Sequence, residues 1–284
     1  MFHCLQVIQL PRLDGLKSIV FTQRLSAYNE TFAPVGKYAK LVPVVACLWN
    51  ESIAGRSAYD ILSCFHRVLN RFGNEKHLTL WLDNCSAQNK NWNLFLHLIL
   101  LINSKKIQLE KVVLKFFESG HNFMAADSFH AEVEASMRKN PPVTYEDFCN
   151  AVKTAKKSTD VLDMTAETFF KTKFTVSQYV LNNCHPRPYI DKIRRIEFTK
   201  GSLELQYGDT VSDDGAMKRC FLFTKKQMKE INAEGFSLEK NLSYQKAPNG
   251  VDPDRKEAML KVIQPVISVE KKLFWYNPPE QKSY

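Results

Sequence analysis

With 284 residues, 44% of them hydrophobic and 24% charged, the chain is long enough to bury one substantial core, or one core and a smaller appended unit, without disulfides or metals. Those fractions argue against wholesale disorder, and no stretch of about 18 apolar residues is present to cross a bilayer, so no membrane role is expected. The formal net charge of +9 favours an anionic partner such as nucleic acid.

The amino terminus, Met1-Phe2-His3-Cys4-Leu5-Gln6, lacks a basic region followed by an apolar segment and a small-residue cleavage site, so no secretory signal is expected. Phe2 to Leu10 is instead a compact apolar run ended by Pro11, the pattern of a strand. After the turn at Asp14-Gly15, Ser18 to Thr31 is rich in β-branched and aromatic residues, and a further apolar run covers Leu41 to Trp49. Three closely joined strands predict an antiparallel meander. The period then changes: Tyr59, Leu62, Phe65, Val68 and Leu69 share one face of a helix that Gly73 ends. His77 to Leu82 reads as a strand terminating at Asp83, Trp92 to Leu101 as a strongly apolar helix, and Val112 to Phe117 as another strand. Ala125 to Met137 follows as a helix.

This β-β-β-α-β-α-β-α order predicts an α/β fold with a ribonuclease-H-like mixed sheet over residues 1–140. Asn140-Pro141-Pro142 marks a break, and residues 141–284 are expected to form an appended α+β unit. That unit would hold a helix over Tyr145 to Lys156, a hairpin over Ile193 to Thr210 turning at Lys200-Gly201, a short strand at Cys220 to Phe223, an exposed loop from Asn241 to Pro253, and a late helix from Arg255 to Ile263.

Seven cysteines, Cys4, Cys47, Cys64, Cys85, Cys149, Cys184 and Cys220, form an odd set with no Cys-x-x-Cys pair. That argues against a disulfide framework and a zinc ribbon, and for reduced thiols in an intracellular compartment.

Two polar segments carry the candidate chemistry. After the strand ending at Leu82 come Asp83, Asn84, Gln88, Asn89 and Lys90, at the carboxyl edge where ligands bind in α/β sheets. Asp and Asn also cap helices, and for Asp83 taken alone that reading stays open. The second segment, Glu118-Ser119-Gly120-His121-Asn122-Phe123-Met124-Ala125-Ala126-Asp127, likewise follows a strand and ends in an acid. Glu134 lies two turns beyond Asp127 on the same helix face, with His130 at turn spacing between them. Carboxylates are hard oxygen donors suited to Mg²⁺ or Mn²⁺, and two such ions can drive phosphodiester cleavage; a solvated acidic helix face is the alternative. His121 and His130 are candidates for substrate contact, metal ligation or general base work, although His121 fits a turn hydrogen bond better. Cys184-His185 is a weaker metal candidate.

At Leu82-Asp83-Asn84-Cys85-Ser86-Ala87-Gln88-Asn89-Lys90-Asn91, and again from Gly120-His121-Asn122-Phe123-Met124-Ala125-Ala126-Asp127 through Glu134, the sequence resembles a domain family of transposon-derived invertebrate proteins, itself similar to a divergent DDE-type transposase catalytic core. Weaker agreement lies in Leu5-Gln6, Leu10-Pro11, Tyr28-Asn29, Trp49-Asn50-Glu51, Gly55-Arg56, Ser63-Cys64 and the closing Lys271-Lys272-Leu273-Phe274-Trp275-Tyr276, so the resemblance spans most of the chain. It implies a metal-dependent transposase or nuclease, DNA as partner, and a nuclear place of action. Lys192-Ile193-Arg194-Arg195 is too short a basic cluster to serve as an address. It also implies that Asp83 is the second acid of a metal-binding triad and Asp127 or Glu134 the third. The first acid departs from the pattern: where the family's first strand reads Asp-Leu-Gln, this chain has Cys4-Leu5-Gln6. A thiol cannot replace a carboxylate for Mg²⁺, so an impaired site is expected, or a non-catalytic nucleic-acid-binding or scaffold protein descended from a transposase. Met1 lies three residues before Cys4, which leaves room for a longer protein carrying the family's amino-terminal zinc- or DNA-binding part.

Overall fold

A computed structural model describes residues 1–13, 16–84, 89–117 and 125–279. In chain order the elements begin β1 (Phe2–Leu10), β2 (Leu25–Ala33), β3 (Val44–Asn50), α1 (Ala58–Arg71), β4 (His77–Leu82), α2 (Trp92–Ile102), β5 (Lys111–Phe116) and α3 (Ala125–Lys139). There follow α4 (Tyr145–Ala155), β6 (Thr159–Asp163), β7 (Phe170–Thr172), α5 (Gln178–Asn182), β8 (Arg195–Thr199), β9 (Glu204–Gly208), β10 (Lys218–Phe221), α6 (Lys225–Ile231), β11 (Leu242–Tyr244), α7 (Pro253–Ile263) and α8 (Val269–Tyr276). The fold is mixed α/β. Its residues divide into two units that interleave along the chain: one takes Met1, Ser57–Phe123 and Phe170–Tyr244, the other Phe2–Arg56, Met124–Phe169 and Gln245–Tyr284. Each unit therefore draws on both sides of residue 140.

Several boundaries differ from expectation for backbone reasons. The run from Ser18 does not begin a strand; Lys17–Phe21 is a 3₁₀ turn and β2 starts at Leu25. Pro11 ends β1, and the register Leu10↔Leu25 leaves residues before 25 with no ladder partner on it. The third strand starts at Val44 rather than Leu41, because Pro43 has no N–H to donate, whereas the Val44 N–H reaches Ser158 O at 3.0 Å.

In the unit holding β1, the strand order is β1-β2-β3-β6. The first three form the expected antiparallel meander, and β3 adds β6 in parallel, with Val44 opposite Thr159. Side chains alternate across the sheet. One face carries Ile8, Leu10, Leu25, Ala27, Val44, Ala46 and Leu48, which form a core with Phe129, Val133 and Met137 of α3 and Phe148 and Val152 of α4. Each of the larger buried side chains, the alanines aside, stabilises the unit by roughly 1.5–3 kcal/mol relative to exposure. A capping box between Thr144 and Asp147 starts α4. Met259 and Ile263 of α7 and Trp275 of α8 complete the same core.

Cys4 and Thr31 are cross-strand partners, and parity puts both on the α3-covered face with Ile8 and Leu10. The opposite parity holds His3 and Glu30, both fully buried, with His3 Nε2 against Glu30 Oε1. Burial lowers the His3 pKa to about 3.

In the other unit the strand order is β10-β9-β8-β5-β4. β4 and β5 run parallel, and the remaining pairs are antiparallel. The register Leu82↔Phe116 makes β4 and β5 end together, so Asp83 and Phe117 leave the same sheet edge. α2 is apolar on all sides and buried from Leu94 through Ile102, as such a helix requires. His97 interrupts that run, its Nε2 lying 3.1 Å from Nδ1 of His66 on α1. The β8–β9 hairpin turns at Gly201, whose φ of 86° suits glycine.

Candidate functional site

The corner after β4 is organised by amides. Asn89 Nδ2 donates to Asp83 Oδ1 at 2.6 Å, and Asn84 Nδ2 donates to Phe117 O. Lys90 Nζ donates to Asn84 Oδ1 at 3.0 Å and to Asp191 O at 3.3 Å, and lies 5.0 Å from the centre of the Phe116 ring. Asn89 and Lys90 are both buried. Burial, helped by Arg194, pulls the Lys90 pKa down to about 8. Asp83, Asn84, Asn89 and Lys90, four residues singled out by sequence, thus do meet, bonding to one another and to the backbone carbonyls of Phe117 and Asp191. Gln88 and His121 lie outside the described residues.

The other candidates sit on α3. Asp127, His130 and Glu134 fall along one stripe, while Phe129, Val133 and Met137 bury the core side. The stripe meets β1 at Cys4: its thiol lies 3.8 Å from Asp127 Oδ1, and single donor atoms of Cys4, Asp127 and His130 all lie within 4.8 Å of one another. All three residues are half-buried.

A short polar chain holds the imidazole. His130 Nε2 is 3.0 Å from Thr31 Oγ1, the Thr31 hydroxyl donates to Asn29 Oδ1 at 2.9 Å, and Asn29 Nδ2 donates to Gln6 Oε1 at 3.4 Å. A threonine hydroxyl has one hydrogen. Since that hydrogen goes to Asn29, Thr31 must accept from His130, which puts the ring proton on Nε2 and leaves the Nδ1 lone pair available. Burial lowers the His130 pKa to about 4, against an opposing pull from Asp127, so the ring is neutral at pH 7.

Glu134 is engaged elsewhere. Arg12, just past β1, holds it through two parallel bonds, Nη1 to Oε1 at 2.8 Å and Nη2 to Oε2 at 2.9 Å, with Arg138 Nε a further 3.7 Å away. Hydrogen bonding to Arg12 depresses the Glu134 pKa. Cys4, Asp127 and His130 therefore offer one carboxylate, one thiol and one imidazole, a poor donor set for Mg²⁺ or Mn²⁺, which favour oxygen ligands. Asp83 belongs to the other unit. Cys184 is buried with its thiol 3.5 Å from Phe221 O, and it joins no three-residue metal cluster among the described residues.

Sequence reasoning passed over Arg12 and Thr31 as site residues. The Arg12 role had no local signal. Thr31 could be found only through its register opposite Cys4, which depends on where β2 begins.

An α/β protein whose polar groups gather at strand ends and on one covering helix belongs to a class broad enough for binding and catalysis alike. Residues 57–206, just over half of the chain, match the family model described as Domain of unknown function (DUF7869), and the chain belongs to that family. The matched span includes Asp83, Asp127, His130 and Glu134 and leaves out Cys4, Arg12 and Thr31. No curated protein and no solved structure matches the chain.

Proposed function

We propose that the chain is a transposon-derived, ribonuclease-H-like protein whose partner is DNA and whose metal-dependent cleavage is impaired at Cys4. The observation that carries this reading is the thiol of Cys4, 3.8 Å from Asp127 Oδ1, at the strand position where the family resemblance calls for an acid. Two-metal phosphodiester cleavage needs carboxylates that bridge hard cations, and a thiol there removes one of them. The order β-β-β-α-β-α-β-α along the first half of the chain supports the fold assignment.

Support for a DNA partner comes from charge and from one cationic cleft. Arg187, Lys192, Arg194 and Lys218, with Tyr189, Tyr207 and the Asp209 carboxylate that pairs with Lys218 at 3.1 Å, line a cavity of about 360 Å³. The Arg187 guanidinium lies 5.3 Å from the Tyr189 ring centre. Cationic side chains would neutralise phosphates, and an exposed tyrosine would stack on a base. The Arg12 to Glu134 pairing favours a second reading, a protein that binds nucleic acid without cutting it, because it occupies the last candidate acid of the stripe.

The test is a nicking assay on labelled DNA in Mg²⁺ or Mn²⁺, comparing the parent, Cys4→Asp, and Cys4→Asp carrying Asp83→Asn. Cleavage gained by Cys4→Asp and lost again with Asp83→Asn supports an impaired site. Cleavage by the parent overturns the impairment. Binding without cleavage in all three supports the second reading.

A further inference from the structure

We propose that Cys4, Asp127 and His130 form a three-ligand site for a thiophilic divalent cation of the Zn²⁺ class, with Thr31 as the residue that orients the histidine. This goes beyond the proposed function, since it stands on donor geometry whether or not the chain binds DNA. A tetrahedral Zn²⁺ with Zn–S near 2.3 Å and Zn–O near 2.1 Å needs its sulfur and oxygen donors about 3.6 Å apart. Cys4 Sγ and Asp127 Oδ1 are 3.8 Å apart, and the His130 donor lies within 4.8 Å of both. Shifts of a few tenths of an ångström to about an ångström in side-chain torsions close the set.

The supports are regular elements rather than loops. Cys4 projects from a strand paired along its whole length with β2, and Asp127 and His130 stand one turn apart on α3. The Thr31 oxygen accepts a hydrogen bond from His130 Nε2–H while its hydroxyl donates to Asn29 Oδ1, which leaves Nδ1 as the ring's ligand atom. A metal-bound histidine that donates its second nitrogen to a fixed acceptor is the usual arrangement around such ions. Thiolate and imidazole select Zn²⁺ and similar ions over Mg²⁺, the reverse of a carboxylate set. On binding, the Cys4 thiol gives its proton to solvent and the sulfur takes the cation in its place. Three protein donors leave one coordination position for water or a ligand atom.

The test uses the full chain, stripped with a chelator and titrated with Co²⁺ in the absence of nucleic acid. The expected spectrum shows the visible bands of four-coordinate cobalt together with a near-ultraviolet thiolate charge-transfer band. Zn²⁺ should bleach both, and excess Mg²⁺ should leave them unchanged. Cys4→Ser should lose the charge-transfer band, Glu134→Gln should titrate like the parent, and Thr31→Val should weaken Co²⁺ affinity by roughly 10- to 100-fold while keeping the spectrum. A parent with no thiolate band, or a band that survives in Cys4→Ser, overturns the site. The parent titration decides the matter even if a variant fails to fold. DNA binding, followed separately by fluorescence anisotropy, can fail while the cobalt spectrum stands, so the two readings fall independently.

Discussion

Replacing Arg12 with methionine keeps most of the side-chain volume and removes both bonds to Glu134. The pair is bidentate and charge-assisted, which places it above an ordinary surface ion pair. Both side chains are nevertheless about a quarter to a third exposed, at 26% and 30%, so solvent screening reduces its worth to roughly 1 kcal/mol. Arg138, 3.7 Å from Glu134, keeps part of the interaction after Arg12 is gone and pulls the figure toward the low end. The quantity to measure is the coupling energy from a cycle of Arg12→Met, Glu134→Gln and the double variant, read by denaturant unfolding. Its pH dependence has a fixed sign. The Glu134 carboxyl lies below its ordinary value of 4.5 in the folded state, so the stabilisation is fully present above that pH and is lost as pH falls through the depressed value. Coupling near zero at pH 7, or coupling that persists unchanged at acid pH once Glu134 is protonated, would refute the account of how Glu134 is held.

Three further outcomes are expected. His66 is lowered to about 4 and His97 well below its ordinary 6.5, both chiefly by burial, so protons bind preferentially to the unfolded chain below pH 6.5. Unfolding free energy should therefore fall as pH drops from about 6.5 towards 4, and a flat profile across that window in denaturant melts would contradict the buried pair. Phe129→Ala empties a fully buried site on α3 and should cost roughly 3–5 kcal/mol in the same melts; a loss under about 1 kcal/mol would mean the helix is not packed on the sheet as described. In the cationic cleft, Arg194→Ala should lower the salt slope of DNA binding by about one phosphate contact, and an unchanged slope would move the DNA surface elsewhere.

Much of the first half of the fold was legible because its elements have strong periodicity. His77 to Leu82 and the strongly apolar Trp92 helix differ from the structure by at most a residue. β6 was not legible: Thr-Asp-Val-Leu-Asp is short, with a single apolar pair, and its strand character comes from parallel pairing with β3 rather than from its own composition. α8 was likewise hidden, since Val269 and Leu273 are exposed and only Trp275 is fully buried.

The site divides the same way. One-turn and two-turn spacing on a helix placed Asp127, His130 and Glu134 together before any coordinates, as helix geometry demands. What spacing could not supply was the partner of each: Cys4 for Asp127, Thr31 for His130 and Arg12 for Glu134 are contacts between residues about 100 to 120 positions apart, set by strand register and by where α3 lies across it.

The chemistry of residue 4 is the pivot, and calorimetric titration of the parent and Cys4→Asp with Zn²⁺ and Mn²⁺ probes it directly. The parent should bind Zn²⁺ and show little heat with Mn²⁺, and the aspartate variant should shift its preference towards Mn²⁺. The same order of preference in both proteins would contradict the claim that a single thiol has changed which cation this site accepts.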